Sequence, residues 1–230
     1  MKADLEGPGT LAEQTSQLSE EMADLLRSVF PDAPDFEVEL VGSRSVVRPV
    51  GDSVPLSVGR KRLAALEISM SCCLDSVQRY LAVEKSHFKL YADIDRTPIL
   101  RFDYVREMRT KPHAHIQVHG HRGALSHLLS QSGHATPHDM SSLHLPVGGS
   151  RFRPCLEDII QFLITECGVD YKPGWRQRVE EGRDRWRRRQ IAAATRAVPS
   201  EAARVLTELG YRVELPRTAA GDSSPALRNW

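Results

Sequence analysis

Apolar residues along this chain keep two rhythms, and the switches between them outline the elements. Thr10-Leu11-Ala12-Glu13 has the form of a capping box, and Leu18, Met22, Leu25, Leu26 and Val29 follow at helical spacing. A helix is therefore predicted over residues 11–30, ended by Pro31 and Pro34. The period then becomes two. Phe36, Val38 and Leu40 alternate with Glu37 and Glu39, Val54, Leu56 and Val58 alternate again, and Leu66, Ile68, Met70, Cys72 and Leu74 oppose Glu67, Ser69, Ser71 and Asp75. Further strands are predicted over 80–91 and 98–105, around the turn-like Asp93-Ile94-Asp95-Arg96-Thr97-Pro98, and over 113–121.

Helical spacing returns in the C-terminal half. A short helix is predicted over 124–130, and an edge strand over 143–147, where Pro146 cannot donate to a central ladder. Pro154 suits a first helical turn, Glu157 and Asp158 favour the macrodipole, and Leu156, Ile159, Ile160, Leu163 and Ile164 form a broad apolar face. Residues 175–198 read as one long helix with a narrow stripe of Trp175, Val179, Gly182 and Trp186. Pro199-Ser200 breaks it, and Ser200 is expected to cap a last helix closed by Gly210. Past Pro216 a disordered tail is expected.

Consecutive strands with short links usually pair as neighbours, so the pattern predicts an α+β fold. It would be an antiparallel meander covered by the helix after Pro154, with flanking N- and C-terminal helices. The expected divisions are an N-terminal helix and linker (1–34), an α+β core (35–170), a basic helical extension (171–215) and the tail (216–230). With 31 Lys and Arg against 30 Asp and Glu, no global field gathers nucleic acid or acidic membrane, so any electrostatic partner must be met by a local patch. There is no apolar run of membrane-spanning length and no signal-peptide order, which predicts a soluble, cytoplasmic protein. Cys72, Cys73, Cys155 and Cys167 make no C-x-x-C pair and read as small buried hydrophobes.

The candidate chemistry lies in the histidines. Eight of the nine fall between His113 and His144, and four alternate in Pro112-His113-Ala114-His115-Ile116-Gln117-Val118-His119-Gly120-His121. On a strand these imidazoles share one face. Arg101 and Asp103 share a parity on the preceding strand, opposite Leu100, Phe102 and Tyr104. If the two strands pair, Asp103 can orient an imidazole and Arg101 can hold a phosphate. That reading makes Asp103, His113 and His115 an acid/base group, with Arg101, His119 and His121 as phosphate contacts. A second reading has His113 and His115 bind a divalent metal such as zinc, with a third ligand from His119, Asp103 or His144, for a metal-dependent hydrolase. A third is a solvated histidine face on a structural scaffold. Separately, eight arginines face three acids within 175–198, and Arg183, Arg187 and Arg188 are candidates for docking RNA or a protein partner.

The order of a tyrosine-containing strand, Leu100-Arg101-Phe102-Asp103, a Pro-His-x-His element, and then Leu156-Glu157-Asp158-Ile159-Ile160 with Phe162-Leu163 resembles the TumE-like toxin family of bacterial toxin–antitoxin systems. The resemblance covers residues 80–167, about two fifths of the chain. It implies that Arg101, Asp103, His113 and His115 carry function, in a toxin-like or defence and regulatory component whose histidine face contacts RNA or another phosphate-bearing partner. Tyr104 stands where the family pattern has asparagine, and the loop over 123–142 is longer than in the small members.

Overall fold

The structure, a computed structural model, describes residues 9–108, 112–120, 123, 126, 130, 135–142, 145–147, 153–216, 218 and 221–228. Helix α1 (Leu11–Val29) precedes strands β1 (Phe36–Val41), β2 (Arg44–Pro49), β3 (Ser53–Val58), β4 (Lys61–Leu74), β5 (Leu81–Ala92), β6 (Leu100–Val105), β7 (Ala114–Val118) and β8 (Leu145–Pro146). Helices α2 (Leu156–Thr165), α3 (Trp175–Ala197), α4 (Pro199–Glu208) and α5 (Ser224–Arg228) follow. The chain is thus α+β, with an open antiparallel sheet and flanking helices. The capping box is formed as expected. The Thr10 hydroxyl accepts from the Glu13 amide, and the Glu13 carboxylate accepts from the Thr10 amide at 2.7 Å.

Strand order is β1-β2-β4-β5-β6-β7-β8, with β3 also paired to β4. This departs from a simple meander because β4 is 14 residues long, about 46 Å at ~3.3 Å per residue. One of its edges therefore takes β3 along Leu66 and its neighbours and β2 along Met70–Cys72. Gly59 and Arg60, both at positive φ, make the tight β3–β4 turn, and the Asp170 carboxylate accepts from both of their amides at 3.0 and 2.7 Å. Strand β2 escapes the period-two reading because Val46 and Val47 are adjacent, although only Val47 reaches the core.

The core lies on one face of the sheet. Leu66, Ile68, Met70, Cys72, Phe88 and Leu90 meet Met22, Leu25, Leu26, Val29 and Phe30 of the first helix and its cap, and Leu156, Ile159, Ile160, Leu163 and Ile164 of α2. Full burial of each such side chain contributes about 1.5–3 kcal/mol. The helix after Pro154 covers the sheet as expected, and α1 shares that cover. Trp175 and Val179 of α3 belong to the same core, so one apolar cluster runs across the boundaries expected near residues 34 and 170.

The arginine helix lies over α1 and α2. Arg183 donates to Asp158 Oδ1 and Gln161 Oε1, both at 2.7 Å, Arg189 grips Glu21 with both terminal nitrogens, and Arg196 stacks over the Tyr80 ring. Trp186 and Tyr104 flank the buried Arg153 guanidinium, 4.9 and 3.9 Å from their ring centres. At Gly182 the helix passes close to α2, where a Cβ would stand 3.0 Å from Glu157 Cγ. The predicted stripe of Trp175, Val179, Gly182 and Trp186 is the side that turns inward.

Three expectations are corrected toward the C-terminus and among the cysteines. The N-cap of α4 is Val198 with Pro199 in the first turn, whereas Ser200 is held by Asp222. The tail past Pro216 is not structureless, since Ser223 donates to the Ala197 carbonyl and Ser224–Arg228 is helical. Cys72 and Cys155 are buried, and burial pushes the Cys72 thiol up to about 12, but Cys73 is only half-buried and Cys167 is exposed. Gly210 ends α4 at positive φ as expected. Most of the expected helix over 124–130, with residues 131–134 of the loop that follows, lies outside the described residues. Among the described residues no helix is long and apolar enough to cross a membrane.

Candidate functional site

Strand register assembles the site on the face opposite the helices. The alternation that sends Phe88 and Leu90 to the core turns Lys85, His87, Lys89 and Tyr91 of β5 to the other side. In register across β5, β6 and β7, His87 faces Asp103 and Asp103 faces His115, while Lys89 faces Arg101 and Arg101 faces Gln117. The predicted pairing of the β6 and β7 polar faces is therefore correct. The histidine strand itself is shorter than expected, although His113 and His119 extend its ladder through the bonds Val105 N to His113 O and His119 N to Ile99 O.

Asp103 is the centre of this face. Its side chain is only 4% exposed, and its carboxylate accepts from His87 Nδ1 at 2.8 Å and from Arg101 Nη2 at 2.8 Å, with His115 Nε2 at 3.8 Å. Burial pushes the Asp103 carboxyl up, but the His87 hydrogen bond and the Arg101 charge outweigh it and hold the group below the ordinary aspartate range. The carboxylate fixes a tautomer. An ionised carboxylate only accepts, so His87 carries its proton on Nδ1, and in the neutral ring Nε2 bears the lone pair.

Beside this group, Lys89 pairs with Glu67 at 2.5 Å, and Tyr91 donates to the other Glu67 oxygen at 3.1 Å. Burial, with the nearby Glu67, pushes the Tyr91 phenol up. Arg101 Nε is buried without a hydrogen-bond partner among the described residues. Such a donor usually marks a missing acceptor.

The predicted residues thus divide. Arg101, Asp103 and His115 come together. His113 is buried at the start of β7 and donates from Nε2 to the Met108 carbonyl at 3.1 Å, and His115 donates from Nδ1 to the Pro112 carbonyl at 3.0 Å. His119 keeps a buried Nε2 with no partner among the described residues, and its charge helps to lower the Asp139 carboxyl, which is lowered chiefly by bonds from Ser141. His121 lies outside the described residues. Of the partner candidates, Arg183 is turned inward and mostly buried, Arg188 pairs with Asp184 on its own helix at 2.8 Å, and Arg187 is exposed. Gln117 donates to the Ser141 carbonyl, which brings the short turn at Met140–Ser142 against β7.

His87 was not among the predicted residues. It is the one histidine outside the cluster, and its signal was its place between Lys85 and Lys89 on the polar parity of β5. Among the described residues no three His, Cys, Asp or Glu side chains are grouped to hold an ion, and His144, a candidate third ligand, lies outside them. Concavities lie elsewhere. One, of about 420 Å³, is lined by Pro31, Arg60, Ile164, Val169, Asp170 and Tyr171.

Comparison with known proteins adds no identity: no family model matches the chain, and no curated protein or solved structure matches it significantly. The likeness to TumE-like toxins rests on motif order alone.

Proposed function

We propose that the protein binds RNA by its phosphate backbone across the open sheet face, as a toxin-like or regulatory component. The observation that supports this is the register-matched block of Lys85, His87 and Lys89 on β5 beside Arg101 on β6, on the face opposite α1 and α2. A flat sheet suits a single strand, whose unstacked bases can lie on side chains while cations track the phosphates. Tyr91 is an aromatic platform on the same face. The whole-chain charge of +1 makes the attraction local, so affinity must fall with salt in proportion to the few cations engaged.

Fluorescence anisotropy with a single-stranded RNA tests this. Three cations give a slope of log affinity against log salt of about −2, so that raising salt from about 50 to 200 mM weakens binding roughly 18-fold. Lys85→Ala lowers the slope by about 0.7. Absence of binding at low salt, or binding indifferent to salt, overturns the reading.

A further inference from the structure

Resting on that RNA-binding reading, we infer that the same face also cleaves RNA without a metal, with His87 as the general base and Lys89 as the general acid. The argument starts from His87. Its Nδ1–H is held by a buried carboxylate at 2.8 Å, its side chain is 31% exposed, and it stands on the sheet face opposite α1 and α2. An imidazole whose proton is fixed on one nitrogen by a carboxylate, and whose other nitrogen faces a ligand surface, is arranged to take a proton. Asp103 stays ionised through the adjacent Arg101, so it orients the ring and stabilises the imidazolium that forms. It is a positioning residue.

The second requirement is a proton donor on the far side of phosphorus. Lys89 follows His87 by two residues on one strand, which sets their backbones about 7 Å apart on the same face. That spacing lets a phosphodiester lie between the imidazole and the ammonium, with attacking and leaving oxygens in line. The third requirement is a cation for the charge that gathers on phosphorus. Arg101 stands across from Lys89, its side chain is 31% exposed, and Asp103 holds it there through Nη2 at 2.8 Å. Among the described residues, no other cluster combines an oriented imidazole with two cations on one face of the sheet.

The chemistry balances within the substrate. His87 Nε2 takes the 2′-hydroxyl proton as O2′ bonds to phosphorus. The bond from phosphorus to O5′ breaks, and its electron pair stays on O5′, which takes a proton from Lys89. The products are a 2′,3′-cyclic phosphate and a 5′-hydroxyl end. Proton exchange with water restores His87 and Lys89, and neither an oxidant nor a metal is consumed.

The test incubates the full chain, in excess chelator, with a single-stranded RNA and with the same sequence 2′-O-methylated throughout. Both strands are expected to bind, and only the RNA to be cut, leaving a cyclic phosphate. His87→Gln is expected to slow cleavage at least about 100-fold. Lys89→Met provides a second arm, because this half-exposed side chain can be replaced without emptying the core, and it is expected to slow cleavage about tenfold or more. Binding of both strands without cleavage overturns the catalytic inference and leaves the RNA-binding reading standing. Cleavage unchanged in both variants, or products bearing a 3′-hydroxyl, also overturns it. Binding of neither strand overturns both.

Discussion

Removing the carboxylate at position 103 separates its structural role from its chemical one, because alanine and asparagine fail differently. Asp103→Ala leaves His87 Nδ1 and Arg101 Nη2 without their acceptor in a place where the Asp103 side chain was only 4% exposed. Breaking a buried pair costs about 3–5 kcal/mol, and since Arg101 and His87 are each 31% exposed, the lower end, about 3 kcal/mol, is expected. At a urea dependence of roughly 3 kcal/mol per M for a chain of this size, the unfolding midpoint falls by about 1 M. Asparagine can keep both hydrogen bonds by a rearrangement. Its oxygen accepts from Arg101 and its amide donates to His87, which must then give up the Nδ1 proton and carry it on Nε2. The remaining loss is the charge assistance, about 1–2 kcal/mol, or roughly 0.5 M of urea. Imidazole nitrogen NMR reads the tautomer directly: Nδ1–H in the native protein and Nε2–H in Asp103→Asn. The same variant loses cleavage while still folding. An alanine variant within about 0.2 M of the native midpoint, or an unchanged tautomer in the asparagine variant, refutes the reasoning.

Two further outcomes follow from the arginines and the depressed carboxyls. Arg183→Met is expected to destabilise by about 2–3 kcal/mol, because its donors to Asp158 and Gln161 are lost at a site 15% exposed, whereas Arg187→Ala changes stability by less than about 0.5 kcal/mol; equal effects in chemical denaturation contradict the inward role of Arg183. Asp103 and Asp158 both sit below the ordinary aspartate range: burial raises each, and the bonds from His87 and Arg101 in one case, and from Cys155 and Arg183 in the other, outweigh it. The stability each contributes is present above the unfolded value near 3.9 and is lost as pH falls through that value toward the lower folded one. The gap in urea midpoint between the native protein and Asp103→Asn therefore narrows as pH falls below about 5; a constant gap contradicts the assignment.

Parity was legible in the sequence wherever one sheet face is apolar. Leu100, Phe102 and Tyr104 on β6 and Ala114, Ile116 and Val118 on β7 fix which way Asp103 and His115 point, and the register places them opposite each other. His87 was hidden for a physical reason. Its pairing with Asp103 depends on the register between β5 and β6 across residues 93–99, a connection too long to dictate one alignment. The arginine helix misled differently. Its apolar stripe was read correctly, but arginines beside a stripe have stems long enough to reach acids on the neighbouring helices, so Arg183 and Arg189 became clamps. Composition counts such residues as surface charge, and only the spacing of acids at Asp158 and Glu21 on other elements reveals their use.

Asp103 is an expensive choice for holding strands together. Desolvating a carboxylate costs several kcal/mol, and even with well-placed partners a buried ion pair is often no more stable than apolar side chains of similar volume. At the middle of β6, between β5 and β7, a β-branched residue would pack against both neighbours with no such penalty. His87 at 31% exposure and Arg101 with an Nε donor that has no partner among the described residues make the arrangement weaker still as a fastening. What the carboxylate does that valine cannot is to fix the tautomer of a half-exposed imidazole and hold a guanidinium beside it. Those two effects are what the RNA-binding and cleavage proposals use, and a valine at position 103 would remove both while keeping the strands packed.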